Sequence, residues 1–497
     1  MTARSPARLS TVGRRPSTRV DDLVWAGVAR LGRLLREREI SPVELTRLFL
    51  ERLGRLGPKL NALAALMPDR ALDEARAAEA AIGRGEWRGP LHGVPYGAKD
   101  LLAARGAPTT WGAPPYRDQV IEGDATVVAR LGAAGAPLAA KLAMVELAGG
   151  GVYRYAAASL HGPGLTPWNT DHWSGGSSSG SGSAVAAGLV PFALGSETSG
   201  SIVTPASYCG VTGLRPTYGL VSRHGAMPLS WTLDKIGPIA RSAEDCWLVL
   251  PAIAGPDPAD PTTGGPSGRR PGARRRRRLR VAFAPADFDR LAARDARASF
   301  AEALGVFQGL DVAMVETSLP TDLPYDHVVR TIFNGEAASI FGDLIESPRL
   351  EELADARQKA GLRAALRVTA REYLDAQRAR VRVQRAFAEL FERADVLLSV
   401  GRPRGAPRID EPIQAPARGA LKPDRLPPDT PHNAGLIPAG NLAGLPALTF
   451  PCGFDADDLP LALQVVGPPF SEATLVGLGR RFQQATDWHT RRPPDSD

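Results

Sequence analysis

Lysine is scarce in this chain: only six of the 60 basic side chains are lysine (Lys59, Lys99, Lys141, Lys235, Lys359 and Lys422), the rest being arginine. Arginine stays protonated in proteins, so a side-chain amine acting as a base must come from those six. Cysteine is scarcer still. Cys209, Cys246 and Cys452 lie far apart without Cys-x-x-Cys or Cys/His spacing, which argues against a zinc site or disulfide framework and predicts a reducing, cytoplasmic setting. No stretch approaches the roughly 18 consecutive apolar residues of a membrane span. The apolar run at 23–29 ends at Arg30, so no signal-peptide core follows the N-terminal arginines. There is no internal repeat, and none of the seven histidines sits in a triad motif.

The formal net charge of +7 suggests nucleic acid until its distribution is considered. Residues 1–20 hold five arginines and residues 265–280 hold eight, with no acid in either; without those thirteen charges the remainder has a net charge of −6. The expectation is a basic, disordered tail over 1–21, an exposed arginine-rich loop over 256–278, a short tail over 491–497, and a mildly acidic globular body over 22–490. Both arginine segments read as solvated chain, so neither a nucleic-acid nor a membrane partner is expected.

Serine, proline and glutamate at Ser41-Pro-Val-Glu44 mark a helix start, with a serine cap, proline in the first turn and a glutamate reaching back. Further helices are expected over 69–83, 124–134 (capped by Asp124), 184–189, 242–253, 368–393 and 471–485. Strands are expected at 138–141, 190–195, 279–284, 310–315, 394–400, 447–451 and 461–466. The Pro- and Gly-rich stretch 89–100 reads as turns. Short apolar strands alternating with helices predict an α/β fold, a single large domain with a mixed central sheet covered on both faces. The arginine loop does not divide it, because strands continue beyond 278.

The chemistry concentrates in two Ser/Gly-rich stretches, Gly175–Ala184 and Gly195–Ser201, separated by an apolar run. Glycine and serine permit tight backbone whose N–H groups converge on a ligand, and a serine hydroxyl can attack a carbonyl. A nucleophile with a cup of N–H donors is what acyl transfer needs. The activating base stays open at this level. Gly180-Ser-Gly-Ser183 only approximates a nucleophile elbow, and a histidine-assisted serine lacks a motif. A lysine serves if burial leaves it neutral; Lys99, in apolar and glycine-rich surroundings, is the first candidate, and Lys235 its rival.

Five segments now bear together: Gly93-Val-Pro-Tyr-Gly-Ala-Lys-Asp100, Gly175-Gly-Ser-Ser178, Gly195–Ile202, Cys209–Gly219 and Leu233–Pro238. With Asn441-Leu-Ala-Gly-Leu-Pro446, Pro451-Cys-Gly453 and Leu463–Gly467 they resemble, in order and spacing over about 22–487, the amidase signature family. The resemblance implies the α/β fold of that family, amide hydrolysis through a seryl acyl-enzyme, and no cofactor or metal. It implies Ser201 as nucleophile, Ser177 (24 residues earlier) as proton relay after a cis Gly176–Ser177 bond, and Lys99 as base. It also implies an oxyanion hole of the backbone N–H groups of Thr198, Ser199, Gly200 and Ser201; most other serines there then serve the backbone.

The chain departs from the common family pattern twice. Glu197-Thr-Ser-Gly-Ser201 replaces Asp-x-Gly-Gly-Ser, and Val203 stands where many members have an arginine, so a polar or carboxylate contact made there is lost. One branch of the family is the A subunit of the glutamyl-tRNA amidotransferase, which frees ammonia from glutamine and places an acid shortly before Asn-Leu-Ala-Gly. Residues 431–441 contain none. The expectation is therefore a stand-alone hydrolase of a small-molecule amide, with a homodimer left open and the glutamine-hydrolysing subunit as the alternative. Segments 320–375 and 402–435 are expected to shape the acyl site. His92 and His224 read as structural before pocket-lining, while Trp111 and Trp173 read as pocket wall or core.

Overall fold

A computed structural model describes residues 20–264 and 278–494. Eleven strands form one mixed sheet: β1 (Leu63–Leu66), β2 (Tyr96–Lys99), β3 (Leu138–Leu142), β4 (Phe192–Glu197), β5 (Thr212–Arg215), β6 (Lys235–Ala240), β7 (Leu279–Phe283), β8 (Val312–Glu316), β9 (Val396–Val400), β10 (Ala447–Phe454) and β11 (Pro460–Val466). Their order is β1-β3-β2-β4-β6-β5-β10-β11-β9-β7-β8. The trio β3-β2-β4 is parallel, as is β9-β7-β8, and antiparallel pairs join these blocks across the middle. Helices cover the sheet, and β2, β3, β4, β5, β6, β10 and β11 are buried along almost their whole length, as expected for strands packed on both faces. The α/β architecture read from the sequence is the one observed. Parts of 1–21, 256–278 and 491–497 (residues 1–19, 265–277 and 495–497) lie outside the described residues; within the remainder, Val20–Val24 is helical and residues 256–264 are anchored by Asp260, whose Oδ2 accepts from Arg223 N at 2.8 Å.

The serine start is as read. Helix Pro42–Leu56 carries a full capping box: Ser41 Oγ accepts from Val43 N and Glu44 N, and Glu44 Oε2 accepts from Ser41 N. Ser41→Ala is expected to cost about 1 kcal/mol in urea unfolding, the usual worth of such a cap. Asp124 does not cap its helix. Helix Thr126–Ala133 has Ala125 at its N-cap, and Asp124 instead grips Arg70 through two contacts of 2.8 and 2.9 Å. The charge pair outcompetes the cap.

Four strands were unforeseen, among them β1, whose four residues are all half-buried and show no alternation. β2 lies in the stretch that reads as turns, and its four residues are fully buried between parallel neighbours, so they show no alternation. Gly97 there is needed for space, since a Cβ would come within 2.5 Å of Leu142 Cδ1. β6 contains Pro238, which argues against a central strand. It is tolerated because the ladder to β5 reaches only Ala240 and Ile239. β5 is only four residues long. The helix expected at 184–189 instead spans Ser179–Ala186, so the first Ser/Gly stretch is itself mostly helix. Gly180 lets that helix press onto the sheet, its α-carbon so close that a Cβ would lie 2.4 Å from Ala62 O.

Candidate active site

β2 and β4 are parallel neighbours, so their carboxyl ends lie side by side, the usual position of sites in α/β sheets. Lys99 ends β2, and Ser196 and Glu197 end β4. The turn after β4 carries residues 198–202 and leads into helix Val203–Cys209. Ser177 arrives through the segment before helix Ser179–Ala186, and the Gly176–Ser177 bond is cis. Three elements thus converge.

Lys99 is completely buried. Its Nζ lies 2.6 Å from Ser177 Oγ and 2.9 Å from Ser196 Oγ. Burial lowers its pKa to about 7, partly opposed by the nearby negative charges of Asp234 and Glu197. Two other lysines are buried. Lys141 Nζ sits 2.7 Å from Asp100 Oδ1 and 2.9 Å from Thr109 Oγ1, an internal ion pair. Lys235 Nζ donates to the carbonyl of Leu233. Neither reaches a serine hydroxyl through a hydrogen bond in the described residues.

The other serines of the first stretch hold backbone: Ser178 Oγ accepts from Ser196 N at 3.2 Å, while Ser181 Oγ and Ser183 Oγ donate to Leu194 O at 3.0 Å and Leu165 O at 2.7 Å. Ser201 opens onto a cavity of about 370 Å³ that Gly176, Thr198 and Ser199 also line. No hydrogen bond joins Ser201 to Ser177 among the described residues, so the geometry brings Lys99 and Ser177 into contact and leaves Ser201 at the cavity wall. The N–H groups of Thr198, Ser199, Gly200 and Ser201 donate to no other described residue. Ser199 keeps negative φ, while Gly200 has φ +97°, which glycine adopts without strain.

Glu197 organises the turn from behind. Its Oε2 accepts from Ile202 N at 2.8 Å and Val203 N at 3.0 Å, and its Oε1 accepts from Arg215 Nη1 at 2.7 Å and Asn441 Nδ2 at 2.8 Å. Burial pushes its carboxyl upward, but Arg215 and these donors outweigh burial and hold it at about 2. Thr198 Oγ1 donates to Asp234 Oδ1 at 2.5 Å. Ser196 and Asp234, both inside the family-like segments, were missed by sequence reasoning because nothing in a linear string ties them to Lys99.

The outer wall comes from the two weakly patterned segments. Helix Tyr325–Ile340 contributes Asp326, Arg330 and Phe333, and segment 402–435 contributes Arg402, Ile413 and Ala434, with Ile437 just beyond it. Trp173 lines the cavity, its ring edge-on to Tyr153 at 6.1 Å. Trp111 does not; it packs against Tyr116 and Phe341. His92 is buried away from the cavity, its Nδ1 accepting from Arg88 N. His224 lines a separate, smaller cavity that Ser196, Asp234 and Lys235 share. Among the described residues no cluster of three or more His, Cys, Asp or Glu side chains fits a metal ion, and no helix is long and apolar enough to cross a membrane.

Parallel strands bring the buried Lys99 and the Ser/Gly turn of Ser201 to one edge of the sheet, and comparison with known proteins places the chain among the amidases. The Amidase family model matches residues 44–476, and the chain belongs to that family. It is 37% identical over 510 residues to the A subunit of glutamyl-tRNA(Gln) amidotransferase from Azoarcus sp. (strain BH72), covering 95% of this chain and 100% of the relative. The protein of the same name from Moorella thermoacetica is 36% identical over 499 residues, with 95% and 99% covered. Among solved structures, the native peptide amidase of Stenotrophomonas maltophilia superposes with a TM-score of 0.79 at 29% identity, covering 95% of this chain and 99% of that one. A bacterial aryl acylamidase at 22% identity and TM-score 0.79 shares the fold, with 94% and 98% covered.

Proposed function

We propose that this amidase hydrolyses a small carboxamide through an acyl-enzyme on Ser201, with Ser177 as relay and Lys99 as base. The contact between Lys99 Nζ and Ser177 Oγ, made by an amine poised near pH 7, carries this reading. Neutral Lys99 accepts the Ser177 proton, Ser177 takes that of Ser201, and the Ser201 oxygen attacks the amide carbon. Negative charge on the carbonyl oxygen meets the N–H groups of residues 198–201. The proton returns through Ser177 to the departing amine, and water then releases the acid. Lys99 must be unprotonated at the start, so kcat/KM is expected to rise tenfold per pH unit below about 7 and to level off above it. A pH–rate profile flat from 5.5 to 8 overturns the assignment of Lys99 as base.

The enzyme works on its own or as a homodimer in this reading, in a cytoplasmic setting consistent with three buried, unbridged cysteines. The absence of an acid in 431–441 supports it, Ala434 lining the cavity there. Full-length similarity to amidotransferase A subunits supports a second reading, glutamine hydrolysis on behalf of a partner. Ammonia release from a panel of aliphatic, aryl and amino-acid amides separates the two: glutamine as the sole substrate favours the amidotransferase role, and broad turnover without glutamine favours the hydrolase.

A further inference from the structure

A second cavity, of about 310 Å³, adjoins the first; Arg402, Ala434 and Ile437 line both. Two groups, one at this junction and one within the second cavity, are unexplained by the fold. Arg402 forms no hydrogen bond or ion pair with another described residue, and its Nε is buried without a partner. Gln464, 1% exposed at the floor of the second cavity, has neither its carboxamide oxygen nor its nitrogen hydrogen-bonded. Buried polar atoms are normally paired, and a guanidinium left unpaired between two cavities is suited to an anion. The interior of the second cavity is different. There Asp287 already accepts from Asn433 N at 2.7 Å, Asn433 Nδ2 at 3.0 Å and Ser399 Oγ at 2.9 Å, and its carboxylate discourages a second negative charge beside it. An anion therefore belongs at Arg402, with a neutral hydrogen-bonding group beyond it at Gln464.

Building on the proposed acyl-enzyme at Ser201, we infer that the second cavity is an acyl subsite and that the preferred substrate is an amide whose acyl chain carries a carboxylate, held by Arg402 at the junction. Arg402 brings a guanidinium to the wall of the Ser201 cavity.

The test compares succinamate, glutaramate and adipamate with butyramide, valeramide and hexanamide, each pair differing in a terminal carboxylate. The wild-type kcat/KM ratio within the best pair is expected to be about tenfold to a hundredfold, the range of a charge-assisted contact. It should fall to near one in Arg402→Gln and be largely kept in Arg402→Lys. A wild-type ratio near one, or a ratio that Arg402→Gln leaves unchanged, overturns the inference. If no amide of either series turns over, the small-carboxamide hydrolase reading is the one that fails. Calorimetric titration of the wild-type protein with glutarate and with butyrate then decides the subsite: glutarate-selective binding that Arg402→Gln removes upholds it, and absence of such selectivity overturns it.

Discussion

Ser201→Ala is expected to lower amide hydrolysis by about ten-thousand-fold or more, and Lys99→Met to do the same. Groups that act as one unit in nucleophilic catalysis each cost nearly as much as all together. In the proposed scheme Ser201→Ala removes the attacking oxygen. Lys99→Met removes the proton acceptor while filling the same buried volume, leaving Ser177 Oγ and Ser196 Oγ without the amine that lies 2.6 and 2.9 Å from them. Acyl transfer to hydroxylamine should vanish in parallel, because it requires the same acyl-enzyme. Circular dichroism and urea unfolding check that both proteins remain folded. Substantial turnover in either folded variant would sink the three-residue scheme, and turnover surviving in Lys99→Met alone would send the search for a base to another residue.

The second large effect lies behind Ser201. Arg215→Met should destabilise the protein by about 3–5 kcal/mol, because it leaves the Glu197 carboxylate buried without its counter-charge. Both side chains are fully buried and 2.7 Å apart. The pH dependence has a definite sign. In the wild type Glu197 is held at about 2, below an ordinary carboxylate, so its contribution is fully present above about pH 4.5 and is lost as pH falls toward 2. Without Arg215, burial dominates and raises the carboxyl, so the variant's deficit should shrink on acidification from pH 7 to 5. Urea midpoints for wild type and variant across that range test both the magnitude and the sign; a deficit that grows on acidification contradicts the pairing. Amidase activity should fall as well, since Glu197 fixes the N–H groups of Ile202 and Val203 just after Ser201.

How legible was this protein as a string? The segments around Lys99, Ser177 and Ser201 identified family and fold, because together they place Gly, Ser and one Lys at spacings that ordinary loops do not repeat. Strands with plain apolar runs, such as β3, β7 and β11, fell close to their expected positions. β2 did not, since four buried residues between a proline-rich turn and an aspartate carry no periodicity. β6 was hidden by Pro238, whose tolerance depends on where the β5 ladder stops. The site followed the same division. Ser177 and Lys99 meet as the motifs imply, but the roles of Ser196, Asn441 and Arg215 depend on contacts between strands far apart in the chain. The helix Tyr325–Ile340 and the Arg402 junction, which give the cavity its outer wall, come from stretches whose composition is that of any surface, and only their placement around the Ser201 cavity gives them meaning.

The Glu197 cluster also sets an order of events during synthesis. Arg215 Nε donates to Leu445 O at 3.0 Å, Asn441 Nδ2 to Glu197, and β5 pairs with β10. The turn bearing Ser201 is complete by residue 202, yet two of the contacts behind it, those of Asn441 and of the Leu445 carbonyl, come from residues made more than 200 positions later. A nascent chain therefore lacks part of the frame around Ser201 while those residues are made, and the full set of contacts behind the turn forms only when the last strands close the sheet beside it. Truncated chains should be silent as hydrolases for that reason alone, whatever they retain of the motifs.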